Sequence, residues 1–123
     1  TKIPGTPKKQ YGLGNYIDQS NGQTRFIPLE IKLKTEKEPR YNYLIDNPNL
    51  INKLELNHEK GTLAMARGIR VNSASSQFYI TLKSLPELDG RYAIFGRVVK
   101  GMNIVTTLEE GDSIIDIKII RDQ

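Results

Sequence analysis

The chain has 123 residues, a formal net charge of +4, 37% hydrophobic and 26% charged residues, and neither Cys nor Trp. This length and composition fit one globular domain, and the lack of Cys excludes disulfides and thiolate metal sites. No apolar run reaches the length of a membrane span, and the mild basic excess is not gathered with aromatic residues as a nucleic-acid partner would require.

Residues 1–23 are predicted to form an extended loop, because they are rich in Gly, Pro, Lys and Asn and show no sustained periodicity. The next ten residues, Thr24 to Leu33, alternate in character and predict a half-buried strand. Its buried face would carry Ile27, Leu29, Ile31 and Leu33. Pro28 has no backbone N–H, so it favours an edge strand or a bulge.

Residues 34–60 are predicted to form a long linker or insert of mostly polar character. Within it, the stretch "LIDNPNLINKLEL" is punctuated by Asn and Pro and predicts a short helical turn. The overlapping run "KLKTEKEPR", residues 32–40, alternates in charge. That pattern is typical of a solvated loop rather than of a site for an acidic partner.

Two further strands are predicted in the middle of the chain. "GTLAMARG", residues 61–68, reads as a short strand bracketed by glycines, and its small side chains would allow close packing over it. "QFYITL", residues 77–82, alternates strictly. Its predicted core face carries Phe78, Ile80 and Leu82, and its other face Gln77, Tyr79 and Thr81. A turn at Asp89-Gly90 then leads into a third strand over residues 92–99.

The last part of the chain predicts one helix and one strand. The helix would cap the fold near residues 102–110, with Asn103 as N-cap and Gly111 as its stop. The strand "SIIDIKII", residues 113–120, would turn Ile115, Ile117 and Ile119 inward. About five strands and one helix indicate a mainly β domain, most simply an antiparallel β-barrel closed by the helix.

Generic catalytic and metal motifs are not matched. His58 is the only His, and no second His or Cys could share a metal with it, so it is predicted to be an ordinary loop residue. The fragment "YGLGN", residues 11–15, follows no predicted strand and opens no helix, which fails the context test for a phosphate loop. No Ser has a supported base, and Glu109 and Glu110 at a helix end are predicted to be solvated.

One group of residues remains as a candidate binding site. Gln77 and Tyr79 lie two residues apart on a predicted strand, so their side chains leave by the same face. Small residues at Ala64, Ala66 and Gly68 would let an extended chain lie against the neighbouring backbone. The alternative interpretation is a polar surface with an incidental Tyr.

Four blocks resemble the cyclophilins, the peptidyl-prolyl isomerases, in order and spacing. They are "GTLAMARG", "NSASSQFYITL", "LDGRYAIFGRVVKGMNIV" and "GDSIIDIKI". The resemblance runs from about Tyr11 to Ile120 and is strongest to the bacterial and chloroplast branch. The "TRFIPLEI" block and the long linker resemble the large thylakoid-lumen cyclophilins of plants and cyanobacteria. A thylakoid lumen or a periplasm is therefore the expected compartment, with the cytoplasm second.

The resemblance implies an eight-stranded antiparallel barrel with a substrate groove on its outer surface. The residues that it places in the groove are Ala66, Arg67, Gly68, Gln77, Tyr79, Leu88 and Tyr92. Gln77 would bond the substrate backbone, and Tyr79 would floor the proline pocket where the family usually has Phe. These two are the expected catalytic pair; the backbone of residues 66–68 would pair with the peptide, and Leu88 and Tyr92 would wall the pocket.

The implied reaction needs no cofactor, metal, proton transfer or covalent intermediate. Prolyl isomerisation crosses a barrier of about 20 kcal/mol, which falls when the proline ring is gripped and the twisted amide is stabilised. The expected partners are proline-containing protein segments, cyclosporin-like ligands and, as a further possibility, a larger protein complex.

The family's N-terminal "F-H-R…F…Q-x-G-D" block, whose Arg stabilises the twisted amide, is not found in this chain. Thr1 would fall where that Arg belongs, and the family's first strands and first helix also have no counterpart. Two explanations remain open: a processed or truncated chain whose Arg lies upstream, or a family fold that binds without catalysis. A partner chain that completes the sheet is a further expectation, because open strand edges are usually avoided.

Overall fold

The computed structural model describes residues 14–122, and within this range the fold is mainly β with antiparallel sheets and two helices of about one turn. The strands are β1 (Ile17–Asp18), β2 (Gln23–Thr24), β3 (Glu30–Ile31), β4 (Arg40–Tyr41), β5 (Thr62–Met65), β6 (Phe78–Ile80) and β7 (Ile94–Arg97). The helices are α1 (Pro48–Ile51) and α2 (Met102–Val105), and a 3₁₀ turn spans Pro86–Leu88. The mainly β, antiparallel class expected for a cyclophilin-like fold is confirmed.

The first sheet is a hairpin inside the segment predicted to be extended loop. β1 and β2 pair antiparallel, with Ile17 opposite Thr24. The connecting turn closes because the Asp18 carboxylate accepts hydrogen bonds from the Ser20 amide at 2.9 Å and the Ser20 hydroxyl at 2.6 Å. Residues 1–13 of that prediction lie outside the described range.

The second sheet supplies the hydrophobic core. β3 pairs antiparallel with β4, and Leu33 forms a bridge with Leu54. The buried cluster consists of Leu29, Ile31, Leu33, Ile45 and Leu54. The predicted alternation is therefore correct for three of its four residues, whereas Ile27 remains 39% exposed.

The segment predicted to be a linker, residues 34–60, contributes to this core. It contains β4 and α1, and two of the five buried cluster residues, Ile45 and Leu54, come from it. The short helical turn predicted there is α1, which the Asn47 side chain caps by accepting from the Asn49 amide at 2.9 Å.

The third sheet positions the candidate site. Its strand order is β6-β5-β7, all antiparallel, with Ala64 of β5 opposite Tyr79 of β6. A register shift between Leu63 and Ala64 interrupts the pairing of β5 with β7. Ala64 is fully buried, so the small residue predicted for close packing is the centre of this sheet.

The prediction that the Phe78 face of β6 lies in the core is wrong. Phe78 is 41% and Leu82 56% exposed, and Phe78 contacts Phe95 edge to face with ring centroids 6.2 Å apart. The opposite side, which carries Ala64 and Tyr79, packs against the loop that holds His58. Alternation distinguishes two faces of a strand, but only the neighbouring elements decide which face is covered.

The capping helix is shorter than predicted. It covers Met102–Val105 rather than residues 102–110, and Gly101, in a left-handed conformation at φ +90°, takes the N-cap position predicted for Asn103. The hydroxyls of Thr106 and Thr107 donate to backbone carbonyls three residues earlier, at 2.9 and 2.7 Å. Such side-chain bonds compete with helix propagation.

The final predicted strand is also wrong. Residues 113–120 have no assigned strand pairing, and Ile115, Ile117 and Ile119 are 98%, 67% and 82% exposed. The alternation is present, but no second strand among the described residues pairs with it. Within residues 14–122, no helix has both the length and the apolar character needed to cross a membrane.

Candidate functional site

The candidate site lies where the ends of β5 and β6 meet the turn before β7. The Ala66 amide donates to the Gln77 carbonyl at 2.9 Å, and the Met65 amide to the Ala93 carbonyl at 2.9 Å. These bonds hold the segment after β5 between the chain that enters β6 and the chain that enters β7. Residues 66–68 follow β5 and are not part of a strand.

Two adjoining cavities border this segment. The first, which we call the aromatic cavity, has a volume of about 240 Å³ and is lined by Ala66, Arg67, Tyr79, Leu88 and Tyr92. The second, the polar cavity, measures about 480 Å³. Its lining includes Ala66, Arg67, Gly68, Ser73, Ser76 and Gln77. Ala66 and Arg67 line both cavities and form the boundary between them.

The seven residues singled out from the sequence therefore all line one or both cavities. The structure brings Tyr79, Leu88 and Tyr92 together in the aromatic cavity and Gly68 and Gln77 in the polar cavity. Their sequence separation is up to 26 positions, so this proximity is produced by the sheet and by the turn at Asp89. Their parts in binding remain predictions.

The walls of the aromatic cavity have a defined geometry. The rings of Tyr79 and Tyr92 meet edge to face, with centroids 5.8 Å apart and planes at 88°. The Arg67 guanidinium lies 4.9 Å from the Tyr92 ring centroid. It donates to the Arg91 carbonyl from Nε at 3.1 Å and from Nη2 at 2.6 Å, and to the Gly68 carbonyl at 3.0 Å. Arg67 is thus fixed as a rim of the cavity by backbone acceptors and an aromatic face.

His58 is the residue that the sequence interpretation missed. It was predicted to be an ordinary loop residue, and it does lie in a loop, but it is 1% exposed. Its Nε2 lies 2.8 Å from the Tyr79 hydroxyl and its Nδ1 2.9 Å from Asp89 Oδ1. The His58 ring also stacks on Tyr79, with centroids 6.0 Å apart and planes at 11°.

Asp89, which the sequence suggested only as a turn residue, completes this arrangement. Its Oδ1 accepts from the His58 backbone amide at 2.6 Å as well as contacting the imidazole. The only sequence signal for the group was a Tyr where the resembled family usually has Phe, because a phenol in a packed setting needs a hydrogen-bond partner. Burial, and secondarily the neighbouring Tyr92, raises the pKa of Tyr79 well above its usual range.

The described residues contain no group of three or more His, Asp and Glu side chains that could hold a metal ion. Burial disfavours ionisation of Tyr79 and so raises its pKa, and His58 and Asp89 bond one another behind the cavity wall. The aromatic cavity is therefore lined by apolar and aromatic side chains and the Arg67 cation, and the polar cavity adds serine side chains and Gln77.

Comparison with known proteins identifies a family. Residues 4–121 match the model of the cyclophilin type peptidyl-prolyl cis-trans isomerase. A Synechocystis protein named as a thylakoid lumen peptidyl-prolyl cis-trans isomerase is 35% identical over 115 residues, which cover 85% of this chain and 30% of that protein. The chloroplastic peptidyl-prolyl cis-trans isomerase CYP38 of Arabidopsis thaliana is 36% identical over 115 residues, covering 85% of this chain and 26% of that protein.

A third relative matches a shorter stretch. The peptidyl-prolyl cis-trans isomerase CYP23 of Arabidopsis thaliana is 45% identical over 56 residues, which cover 46% of this chain and 25% of that protein. The chain thus spans less than a third of the length of these three relatives.

Proposed function

The chain belongs to the cyclophilin-type peptidyl-prolyl cis-trans isomerases, and we propose that it binds X-Pro segments of protein substrates and promotes their cis-trans isomerisation, assisting protein folding. The observation that carries this proposal is the aromatic cavity of about 240 Å³ beside the backbone of residues 66–68. A cavity of that size with two tyrosine rings and a leucine in its wall fits one proline ring.

The geometry supports the binding of different parts of the substrate in the two cavities. The aromatic cavity takes the proline ring against Tyr79, Leu88 and Tyr92, where apolar contact provides the affinity. The polar cavity beside Gln77 takes the flanking backbone, which an amide side chain can hold as both donor and acceptor. The ring and the flanking chain are then held separately while the bond between them rotates.

Such rotation forms and breaks no covalent bond. The barrier of about 20 kcal/mol arises from lost amide resonance, and binding the twisted amide better than the planar one lowers it. The family block that carries the amide-stabilising Arg is not matched in these 123 residues. Losing one such donor typically costs about a hundredfold in rate. We therefore propose weak turnover for this chain by itself.

A second candidate function is a module that binds proline-containing segments, or scaffolds a complex, without catalysis. The observation that favours it is that the Arg67 guanidinium, which lines both cavities, already donates to the Arg91 and Gly68 carbonyls. Cyclosporin-like ligands are proposed to occupy the same cavities under either function. We propose a thylakoid-lumen or chloroplast location, because the names of the Synechocystis relative and of CYP38 state those compartments.

Nuclear magnetic resonance decides between these functions. The ¹⁵N-labelled protein is titrated with an Ala-Pro peptide, and exchange spectroscopy measures the rate of its cis-trans interconversion. We expect saturable shifts at the amides of residues 66–68 and Gln77 and a small acceleration of exchange. Binding with no acceleration selects the non-catalytic module, and no binding overturns both.

Matched substitutions connect the binding to the aromatic cavity. Tyr79→Ala removes the wall that contacts the proline ring, and we expect about tenfold weaker peptide binding, the effect of about 1.4 kcal/mol of lost contact. Tyr43→Ala removes a tyrosine that is 68% exposed and lies outside both cavities, so it should leave affinity unchanged. Equal losses in the two variants would remove the aromatic cavity from the proposal.

A further inference from the structure

The hydroxyl of Tyr79 is hydrogen-bonded to a residue outside the aromatic cavity that Tyr79 lines. That hydroxyl lies 2.8 Å from His58 Nε2, and neither His58 nor Asp89 is among the residues that line the cavity. The phenol therefore has two sides: an aromatic surface that faces the cavity and a polar end that is bonded behind the wall.

The direction of the hydrogen bonds depends on the tautomer of His58. In the neutral imidazole whose proton is on Nδ1, that proton is donated to Asp89 Oδ1, 2.9 Å away. Nε2 is then the acceptor, and the Tyr79 hydroxyl donates to it. The result is a chain of two hydrogen bonds from Tyr79 through His58 to Asp89.

This chain ends on residues that are bonded to, or adjacent in sequence to, the walls of the cavity. The His58 side chain is fully buried, its backbone amide donates to Asp89 Oδ1 at 2.6 Å, and its carbonyl accepts from the Leu85 amide at 2.8 Å. Asp89 directly follows Leu88, which is another wall of the aromatic cavity. Two walls of the cavity, Tyr79 and Leu88, are thereby joined through His58.

We propose that His58, held by Asp89, is a positioning residue for the proline-binding cavity: it holds the Tyr79 hydroxyl behind the wall, so that the cavity presents only the aromatic surface of that phenol. The proposal deepens the proposed function and rests on it. The substrate class that it favours is an apolar ring, because a hydroxyl turned into the cavity would have to lose its hydration when a proline ring covered it. Because His58 does not reach the cavity, it acts through Tyr79 and not on the substrate.

A double-mutant cycle on peptide affinity tests the coupling. The four proteins are the unsubstituted chain, His58→Leu, Tyr79→Phe and the double variant, each titrated with the Ala-Pro peptide. We expect His58→Leu alone to weaken binding about tenfold, since it leaves the Tyr79 hydroxyl without its acceptor. In the Tyr79→Phe background, where no hydroxyl remains to be placed, the same change should weaken binding about twofold or less.

If His58 has a purely structural role, the double-mutant cycle should give a different result. His58→Leu would then weaken binding by the same factor with and without the Tyr79 hydroxyl, and that outcome overturns the proposal. Should His58→Leu fail to fold, His58→Gln serves in its place, because its amide still offers an acceptor to the hydroxyl. Affinity within about threefold of the unsubstituted chain is then expected, and a tenfold loss contradicts the proposal.

The hydrogen bond itself is tested without any peptide, which separates this inference from the proposed function. In the ¹⁵N spectrum of the full chain, we expect the His58 imidazole to show a protonated Nδ1 and an unprotonated Nε2. Tyr79→Phe should shift the Nε2 resonance because it removes the donor, while Tyr43→Phe should not. An Nε2 resonance that is indifferent to Tyr79→Phe overturns the positioning role even if the peptide binds, and failure to bind the peptide overturns the proposed function whatever the resonance does.

Discussion

Tyr79 connects the surface of the candidate site to the buried part of the molecule. Its ring forms a cavity wall and its hydroxyl bonds to a histidine that is 1% exposed. That two-sided setting suits a neutral phenol, because a phenolate would lose hydration in a half-buried position beside the second tyrosine, Tyr92. Burial therefore raises the pKa of Tyr79 in the folded chain.

This raised pKa predicts a loss of stability in alkali. An unfolded tyrosine ionises with a pKa of 10.0, whereas folded Tyr79 keeps its proton to higher pH. The folded state thus binds more protons than the unfolded state above pH 10, so the stabilising contribution is complete below that pH and falls as pH rises. We expect the unsubstituted chain to lose up to about 1 kcal/mol relative to Tyr79→Phe between pH 10 and 11, because Tyr79 is only half-buried.

The measurement is urea unfolding at a series of pH values from 8 to 11. Tyr79→Phe also loses its hydrogen bond to His58, but that offset is the same at each pH in the range. Tyr43→Phe serves as the control, since Tyr43 is well exposed and should give a curve parallel to that of the unsubstituted chain. A parallel curve for Tyr79→Phe as well would contradict the raised pKa.

Among individual residues, the sequence identified Tyr79, Gln77 and five other cavity residues, but not His58 and Asp89 behind them. The seven residues were reached from alternation and from blocks shared with a family, both of which are visible along the chain. His58 and Asp89 are 31 residues apart and become partners only because the turn at Asp89 packs onto the loop before β5. A single His among polar residues contains no local sign of that contact.

The turn that precedes β7 is the element on which the site depends. It carries Leu88, Asp89 and Gly90, and the Gly90 carbonyl accepts from the Ile45 amide at 2.9 Å. Gly90 adopts φ +77°, and a Cβ at this position would clash with the Ile45 carbonyl oxygen. Glycine is required at this position both by the backbone conformation and by the close approach of the core segment.

We therefore predict that Gly90→Ala lowers the free energy of unfolding by about 3 kcal/mol or more, since the left-handed conformation and the backbone contact both oppose a methyl group. Gly22→Ala is the matched control. Gly22 has φ +68° but no atom within 4 Å of its built Cβ, so only the conformational cost of about 1 kcal/mol is expected. Urea unfolding compares the two, and losses of equal size would show that the contact with Ile45 relaxes freely.

Besides the strand predicted over residues 113–120, two elements were predicted with the wrong extent or the wrong environment. The helix at Met102 stops after about one turn, where the hydroxyls of Thr106 and Thr107 bond back to the preceding backbone. β6 has the predicted alternation, but its Phe78 side is the open one. In both elements the local pattern was correct and the outcome depended on which bonds or neighbours were available.

The molecule is joined over long sequence distances by a few polar contacts as well as by its core. Ser75 is one of them: its hydroxyl accepts from the Tyr16 amide at 3.0 Å and donates to the Arg25 carbonyl at 2.7 Å. A nearby bridge between Ile27 and Ala74 supports the same docking. The β1–β2 hairpin is thus attached to the loop that forms the wall of the polar cavity.

Ser75→Ala should release this hairpin without unfolding the core. We expect the amide of Tyr16 to exchange its hydrogen about five to ten times faster, corresponding to about 1 kcal/mol of lost hydrogen bonding, while amides of β5 keep their rates. Ser73→Ala is the control, since the Ser73 hydroxyl donates to the Arg70 carbonyl within its own turn. Faster exchange throughout β5 in Ser75→Ala would show instead that the hairpin and the sheet unfold together.

The amino-acid sequence alone predicted the local character of each segment: the antiparallel, mainly β class, the alternation around β3, in β6 and over residues 113–120, and seven of the residues that line the two cavities. Which side of each pattern is covered, and by what, is set by the packing of segments distant in sequence. Ile115, Ile117 and Ile119 alternate as well as Leu29, Ile31 and Leu33 do, yet the first set is exposed and the second buried. The physical reason is that periodicity is a property of neighbouring residues, whereas burial and hydrogen-bond partnership, as for His58 between Asp89 and Tyr79, require segments distant in sequence to meet.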